Sequence, residues 1–484
     1  IVHLITDFMD QGMSPKDAAK AALDELEGAF ALAIIYDGEA DLMIGARRGS
    51  PLVLGYGTGE REGVEMYLGS DAIALSHLTN KIAYLDEGDR VEITKTSAQV
   101  YDENGAEVDR EIHTVDAASG SIDKGNYNHF MMKEIYEQPM VVGQTLGTLI
   151  DPLKGHVELG EMPFDLASIE RVTIIACGTS YYAAMVAKYW MEQVGRINVD
   201  VDIASEFRYR EPVMPKGGLS VFISQSGETA DTLAALRYAK SQDQHILSIL
   251  NVAQSSMERE SDVVLHTHAG PEVGVASTKA FTCQTAVLLL MALKFARGRR
   301  MSCETGLEIA EEIAKIPSLI EETLKQAKNI AKIAETFKDV RSCFYIGRGY
   351  LYPAALEGAL KLKEISYIHA EGYHAAELKH GPIALLEETV PVIALANDIP
   401  GRDKVIGNIQ ECRARKSPVI VTATIGDDEI AALADEVIWI PQCSKYVAPI
   451  LTVVALQVFS YYAAKTRGCE IDQPRNLAKS VTVE

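Results

Sequence analysis

Ser220-Val-Phe-Ile-Ser224-Gln225-Ser226-Gly227-Glu228-Thr229-Ala230 passes from a short apolar run, through hydroxyl-rich residues, into a helical stretch that reaches Ser241. Strand, turn, then amphipathic helix is the repeating unit of a parallel sheet covered on both faces. The order recurs around it: Val172-Thr-Ile-Ile-Ala-Cys177 comes before, and Ile246 to Val252 and Asp262 to His268 follow. A second series holds Cys343-Phe-Tyr-Ile346, Pro391 to Ala396, Pro418 to Ala423 and Glu436 to Ile440. The openings align weakly, Ala183-Ala184 falling opposite Ala354-Ala355. The pattern predicts an α/β chain with a duplicated, doubly wound parallel-sheet domain.

Working outward, 484 residues exceed one compact core. The reading divides them into an α+β region at 1–113, a polar linker at 114–128, a first α/β domain at 129–303, a helical connector at 304–337, a second α/β domain at 338–470 and a tail at 471–484. In the first region Ser14-Pro15 opens a helix to Leu26, and strand-like runs lie at Phe30 to Tyr36, Leu42 to Ala46, Leu52 to Gly55, Glu65 to Leu68 and Arg90 to Thr94. The chain opens Ile1-Val2-His3-Leu4 inside a helical pattern, so an upstream piece of this domain is expected.

A net charge of −22 opposes general nucleic-acid binding. Thr285 to Ala292, the longest apolar candidate, is too short to span a membrane. The seven cysteines are scattered singly without a C-x-x-C pair, the usage of a reduced, cytoplasmic protein.

Gly227 permits close backbone approach at a helix start, where free amides and the positive dipole end gather. With Ser224, Gln225, Ser226 and Thr229 this suits a phosphate monoester; the plainer reading is an N-cap with spare hydroxyls. Cys177-Gly178-Thr179-Ser180 either adds hydroxyls to the same cleft or is only a tight turn. Cys177 itself reads as a buried small hydrophobe. In Gly274-Val275-Ala276-Ser277-Thr278-Lys279, Ser277 either caps the next helix or closes a sugar site. Glu357, Lys361 and Glu364, spaced i, i+4, i+7 among Leu356, Leu360, Leu362 and Ile365, are a solvated ion-pair stripe or a partly buried acid/base set. His374-x-x-Glu377-x-x-His380 lacks the spacing of a zinc-protease pair. His380 alone can transfer a proton or cap a turn. His266 and His268 would share a strand face as structural residues. In the tail, Leu477, Ala478, Val481 and Val483 are too apolar for a loose end. Lys479 among them is expected to be desolvated, its pKa lowered, and so able to attack a carbonyl.

Asp123-Lys-Gly125, Lys133-Glu-Ile-Tyr-Glu-Gln-Pro139, Cys177-Gly-Thr-Ser180, Ser205-Glu-Phe-Arg-Tyr-Arg210, Ser224 to Thr232, Gly274 to Lys279, Leu356 to Ala370 and Asp472 to Glu484, in this order, resemble the isomerising glutamine–fructose-6-phosphate aminotransferases, or glucosamine-6-phosphate synthases. The resemblance covers almost the whole chain. It implies two sugar-isomerase (SIS) domains after the later half of an N-terminal-nucleophile glutaminase domain. Thr179, Ser180, Ser224, Gln225, Ser226 and Thr229 would hold fructose 6-phosphate, with Val275 and Ser277 nearby. Lys479 would form an imine with the open-chain sugar. His380, from the partner subunit of a homodimer, would open the ring. Glu364 would move the proton between C1 and C2, Lys361 would assist at the hydroxyls and Glu357 would help position the amine end. No metal or other cofactor is required. The family's N-terminal cysteine is not in this sequence, so the chain as given is not expected to hydrolyse glutamine. Two alternatives stand beside this reading. A SIS-family deglycase is opposed by the remnant at Ile1 to His113, and a non-catalytic sugar-phosphate sensor needs neither Lys479 nor Glu364.

Overall fold

The computed structural model describes residues 1–28, 30–57, 65–70, 72–75, 78–114, 124–151 and 156–482. Most of the expected linker, 116–123, and Val483 lie outside them. The chain divides into two units: Ile1–Ile122 with Glu228–Ala230 and Ser480–Glu484, and Asp123–Gly227 with Asp231–Lys479.

In the first unit the helix Pro15–Glu25 starts where sequence chemistry places it. Ser14 accepts the Asp17 N–H at 3.2 Å, and Pro15 occupies the first turn, where no N–H is needed. Two antiparallel sheets follow. One runs Phe30–Ile35, Met43–Arg48, Arg90–Ile93, Ala98–Tyr101 and Glu107–Val108. The other runs Met66–Gly69, Val53–Tyr56, Lys81–Tyr84 and Ile112–Thr114.

The second unit carries two five-stranded sheets of parallel strands among the described residues. The first has the order Asn198–Ile203, Arg171–Ala176, Leu219–Ser224, His245–Leu250, Val263–His266. The second has the order His369–His374, Ser342–Gly347, Val392–Leu395, Val419–Thr424, Glu436–Ile440. Both are 2-1-3-4-5, the order of a doubly wound fold whose direction of winding reverses between the first and third strands. Central strands are apolar because helices cover both faces; every residue of Leu219–Ser224 and Val419–Thr424 is buried. The strands Asn198–Ile203 and His369–His374 are additions to the sequence reading. They are edge strands, and their polar-rich sequences NVDVDI and HAEGYH lack the apolar run by which the others are recognised.

Helix Phe130–Leu149 precedes the first sheet, and Cys303–Ala314, Ile316–Leu324 and Ala327–Glu335 form the connector. One continuous apolar cluster spans both sheets. It includes Trp190, Phe281, Leu289, Phe295, Phe337, Leu362 and Phe459. Helices Lys279–Arg297 and Ala448–Thr466 are long and apolar enough to cross a membrane by length and composition, but 94% and 89% of their apolar windows are buried inside this core. Thr285 to Ala292 lies within the first of them.

Helix Leu351–Ser366 crosses Ala448–Thr466 at Gly358. A β-carbon there would lie 2.6 Å from Leu456 Cδ1 and 2.9 Å from Tyr345 Cε1, both in the fully buried core. Alanine would gain about 1 kcal/mol of helix propensity, and overpacking costs about 1–3 kcal/mol. Gly358→Ala is therefore expected to lower stability in urea unfolding; a stabilised variant would contradict the close crossing.

Candidate active site

In an open α/β sheet, ligands bind outside the carboxyl ends of the strands at the point where the winding reverses. In the first sheet that point lies between Arg171–Ala176 and Leu219–Ser224. The loops leaving it are Cys177–Ser180 and Ser224–Thr229, so the two hydroxyl-rich motifs are neighbours by topology. Gly227 has φ +68, and a β-carbon there would collide with Ser255 Oγ and Cβ. Its N–H donates to Ser224 Oγ at 3.0 Å and its carbonyl accepts from Met257 N at 3.1 Å. Gln225 and Ser226 are half-buried, as are Glu228 and Thr229 at the mouth of the next helix. Cys177 is half-buried rather than buried, and burial pushes its thiol up, away from nucleophilic character.

Thr179 and Ser180 open helix Gly178–Gln193. Ser180 Oγ donates to Gln284 Oε1 at 3.1 Å. Thr179 Oγ1 receives Lys361 Nζ at 3.0 Å and donates to Glu357 Oε1 at 3.3 Å. The first SIS-type sheet therefore meets the charged row of helix Leu351–Ser366 directly. That row is a buried set and not a solvated stripe: Glu357 and Lys361 are fully buried, and Glu364 is 21% exposed. Lys361 Nζ lies 2.6 Å from Glu364 Oε2 and 3.5 Å from Glu357 Oε1. Burial drives the Glu357 carboxyl up to about 8 against the pull of Lys361. Burial alone would discharge Lys361, but Glu357 and Glu364 outweigh it and hold the ammonium above the usual lysine range. The arrangement is a fixed cation between the partly exposed carboxyl of Glu364 and the fully buried one of Glu357, which burial favours in its neutral form.

The tail brings Lys479 to a third position. Its Nζ donates to Glu272 Oε2 at 2.6 Å and to the Gly274 carbonyl at 2.7 Å. Glu272 is buried and caps helix Lys279–Arg297, accepting from Thr278 N at 2.8 Å and Ala280 N at 3.1 Å. Burial would raise its carboxyl, but Lys479 and these amides bring it down to about 2. Glu134, on helix Phe130–Leu149, accepts from Val273 N at 2.5 Å and Gly274 N at 3.1 Å, and burial with the nearby Glu272 charge raises it to about 7. The two carboxyls are pushed apart, so one is an anion and the other a proton store.

Several sequence expectations are corrected by this geometry. The helix at Lys279 is capped by Glu272, whereas Ser277 Oγ donates to Glu272 Oε2 at 3.1 Å and so points its hydroxyl at the lysine's partner. Lys479 is ion-paired, not an unpaired amine among apolar neighbours. Leu477, Ala478 and Val481 are exposed, so polar and backbone bonds fix the tail rather than apolar burial. His266 ends its strand and His268 has φ +49, so they do not share a strand face. His374 stacks on Tyr352. His380 is exposed in a 3-10 turn and makes no hydrogen bond or ion pair with a described residue. Glu134 and Glu272 escaped the sequence reading. Nothing local marks them: Glu134 stands beside Lys133 and Glu137 on a mixed helix, and Glu272 is one acidic residue in a loop.

The sequence matches the SIS domain family over residues 165–294 and 336–467. A glutamine–fructose-6-phosphate aminotransferase (isomerizing) of Zymomonas mobilis is 50% identical over 491 aligned residues, covering 100% of this chain and 79% of that protein. One from Bradyrhizobium diazoefficiens is 49% identical with the same shares. The solved C-terminal domain of glucosamine-fructose-6-phosphate aminotransferase from Francisella tularensis matches with a TM-score of 0.70 at 41% identity, covering 72% of this chain and 100% of that one. A solved glucosamine-6-phosphate deaminase from Thermotoga maritima, 23% identical with a TM-score of 0.59, covers 73% of this chain and 99% of its own and shares the fold.

Glu357 supplies a test of the buried row. From about pH 4.5 to about 8 the folded protein keeps a proton on Glu357 that the unfolded chain releases, so stability falls as pH rises through that window. Glu357→Gln removes this slope. Urea unfolding is expected to show the wild type losing on the order of 1–4 kcal/mol relative to the variant between pH 5 and pH 8. Parallel pH profiles would mean that Glu357 is not buried as a neutral acid.

Proposed function

The chain belongs to the isomerising glutamine–fructose-6-phosphate aminotransferases, and from that membership we propose how its residues divide the reaction. It is a transferase that makes glucosamine 6-phosphate from fructose 6-phosphate, with glutamine as the family's nitrogen source. The relatives set aside the deglycase and sensor alternatives. The single observation that carries the residue assignment is the position of Lys479. Its amine is held by Glu272 and Gly274, in the same loop that bears Val275 and Ser277.

The phosphate rests on Ser224, Gln225, Ser226 and Thr229, with Thr179, Ser180, Val275 and Ser277 lining the sugar. His380 assists ring opening. Its exposed, unbonded state in one chain suits a residue given to the partner in a homodimer. Lys479, after releasing its proton to water, adds to the C2 carbonyl; loss of water leaves an imine. Ammonia adds at C2 and expels the lysine, leaving a sugar imine. Glu364 then takes a proton from C1 and returns it at C2, while the proton lost from the C1 hydroxyl is made up by one gained at the imine nitrogen, so that C1 becomes the aldehyde and C2 carries the amine. Lys361, a buried cation fixed between Glu364 and Glu357, stabilises the oxygen that gains charge in this transfer. Glu357, neutral and hydrogen-bonded to Thr179, keeps Lys361 and the first sheet in register.

The remaining parts follow the same reading. Residues 1–113 form the later half of the glutaminase domain, 114–128 the linker, 129–303 and 338–470 the two SIS domains about the connector 304–337, and 471–484 the catalytic tail. The seven cysteines are free thiols and the two longest apolar helices are core helices, in keeping with a cytoplasmic enzyme. The charge of −22 disfavours nucleic acid.

Borohydride reduction in the presence of fructose 6-phosphate is expected to leave the sugar phosphate on Lys479, mapped by peptide mass spectrometry. An adduct on another lysine would refute the nucleophile. Glu364→Gln is expected to cut kcat about 100- to 10,000-fold while still allowing the adduct to form. Unchanged turnover in this variant would remove Glu364 from the proton transfer.

A further inference from the structure

We propose that Asp472 is a positioning residue that seats Lys479, acting through a closed latch of tail, helix Phe130–Leu149 and the loop 272–275; the proposal rests on Lys479 being the imine-forming lysine. Helix Phe130–Leu149 has no side-chain cap from its own N-cap residue, His129. Its first amides are served instead from the far end of the chain: Phe130 N donates to Asp472 Oδ2 at 2.9 Å and Met131 N to Oδ1 at 3.0 Å. Both carboxylate oxygens thus sit on a helix start, where amides and dipole favour a negative charge. Lys124 adds an ion pair at 3.3 Å. The Asp472 carbonyl accepts from Val275 N at 3.0 Å. One turn into the same helix, Glu134 grips Val273 N and Gly274 N, and the Gly274 carbonyl receives Lys479 Nζ.

The ring of contacts is therefore complete: tail root to helix, helix to loop, loop to lysine. Between Asp472 and Lys479 the span is further held by Arg475, whose N–H donates to the Tyr367 hydroxyl at 3.0 Å and whose guanidinium lies over that ring. From 473 to 478 only Pro474 is buried, and the backbone there is neither helix nor strand. The place of the amine is set by the two ends of that span together with the Arg475–Tyr367 contact. A shift of about 1 Å at a reacting group costs on the order of 100-fold in rate.

The test is the rate of borohydride trapping of fructose 6-phosphate on Lys479 in the full chain, compared with the equilibrium binding of fructose 6-phosphate measured without reductant. Asp472→Asn, nearly isosteric, sets an amide group against a helix amide. Asp472→Ser keeps one capping oxygen, so that the helix start stays served should the first variant not fold. The expected result is trapping slowed about 100-fold with the dissociation constant changed less than about threefold and kcat falling with KM nearly unchanged. Trapping at the wild-type rate in a folded variant would overturn the latch and leave the lysine assignment standing. Binding lost in proportion to trapping would also overturn it, since that marks general damage to the site. A wild-type protein that gives no adduct on Lys479 would overturn the lysine assignment, and the latch with it.

Discussion

The ammonium of Lys479 resting on the buried carboxylate of Glu272 is the contact on which the site depends. A carboxylate with no exposure is costly to bury and is tolerated only when its charge is answered. Here it is answered by the lysine, by the Ser277 hydroxyl and by the amides of Thr278 and Ala280. The same group therefore caps the central helix of the first SIS domain and anchors the end of the chain. Removing the lysine would leave a buried anion with only its hydroxyl and amide partners. The helix cap and the nucleophile are coupled for that reason.

Duplication built the scaffold, and divergence gave its halves different tasks. Both sheets have the same strand order, and each offers a winding reversal where a ligand can bind. Only the first presents a hydroxyl-rich loop there. In the second, Asn397 is buried and bonded to Thr422 and Thr452, while Arg402 is tied to Asp427 and Glu429. Asn397 and Arg402 are thus already engaged within the fold. The second domain contributes instead a helix face, Glu357, Lys361 and Glu364, delivered to Thr179 at the mouth of the first. A shared apolar core across the two sheets keeps that delivery rigid.

Much of this was legible in the sequence wherever the signal was local. Apolar runs such as Val172-Thr-Ile-Ile-Ala-Cys177 gave the central strands. Ser14-Pro15 gave a helix start, and the i, i+4, i+7 row gave the charged helix face. The edge strands were missed because solvent exposure along the sheet margin permits polar residues that break the apolar pattern. Glu134, Glu272 and Asp472 were missed for another reason. Glu272 meets Lys479 across 207 positions and Asp472 meets Met131 across 341, distances over which one sequence carries no pairing signal. The apolar residues of the tail predict folding by burial, yet Leu477, Ala478 and Val481 are exposed, and hydrogen bonds at its root do the holding.

The most direct measurement is a crystal structure of the full chain after borohydride reduction with fructose 6-phosphate. Continuous density is expected from Lys479 Nζ to C2 of the sugar, with the phosphate on the loop Ser224–Thr229 and Glu364 within reach of C1 and C2. Density showing the sugar phosphate seated at the second domain's winding reversal, or Lys479 unmodified on Glu272 with the sugar bound elsewhere, would contradict this mechanism.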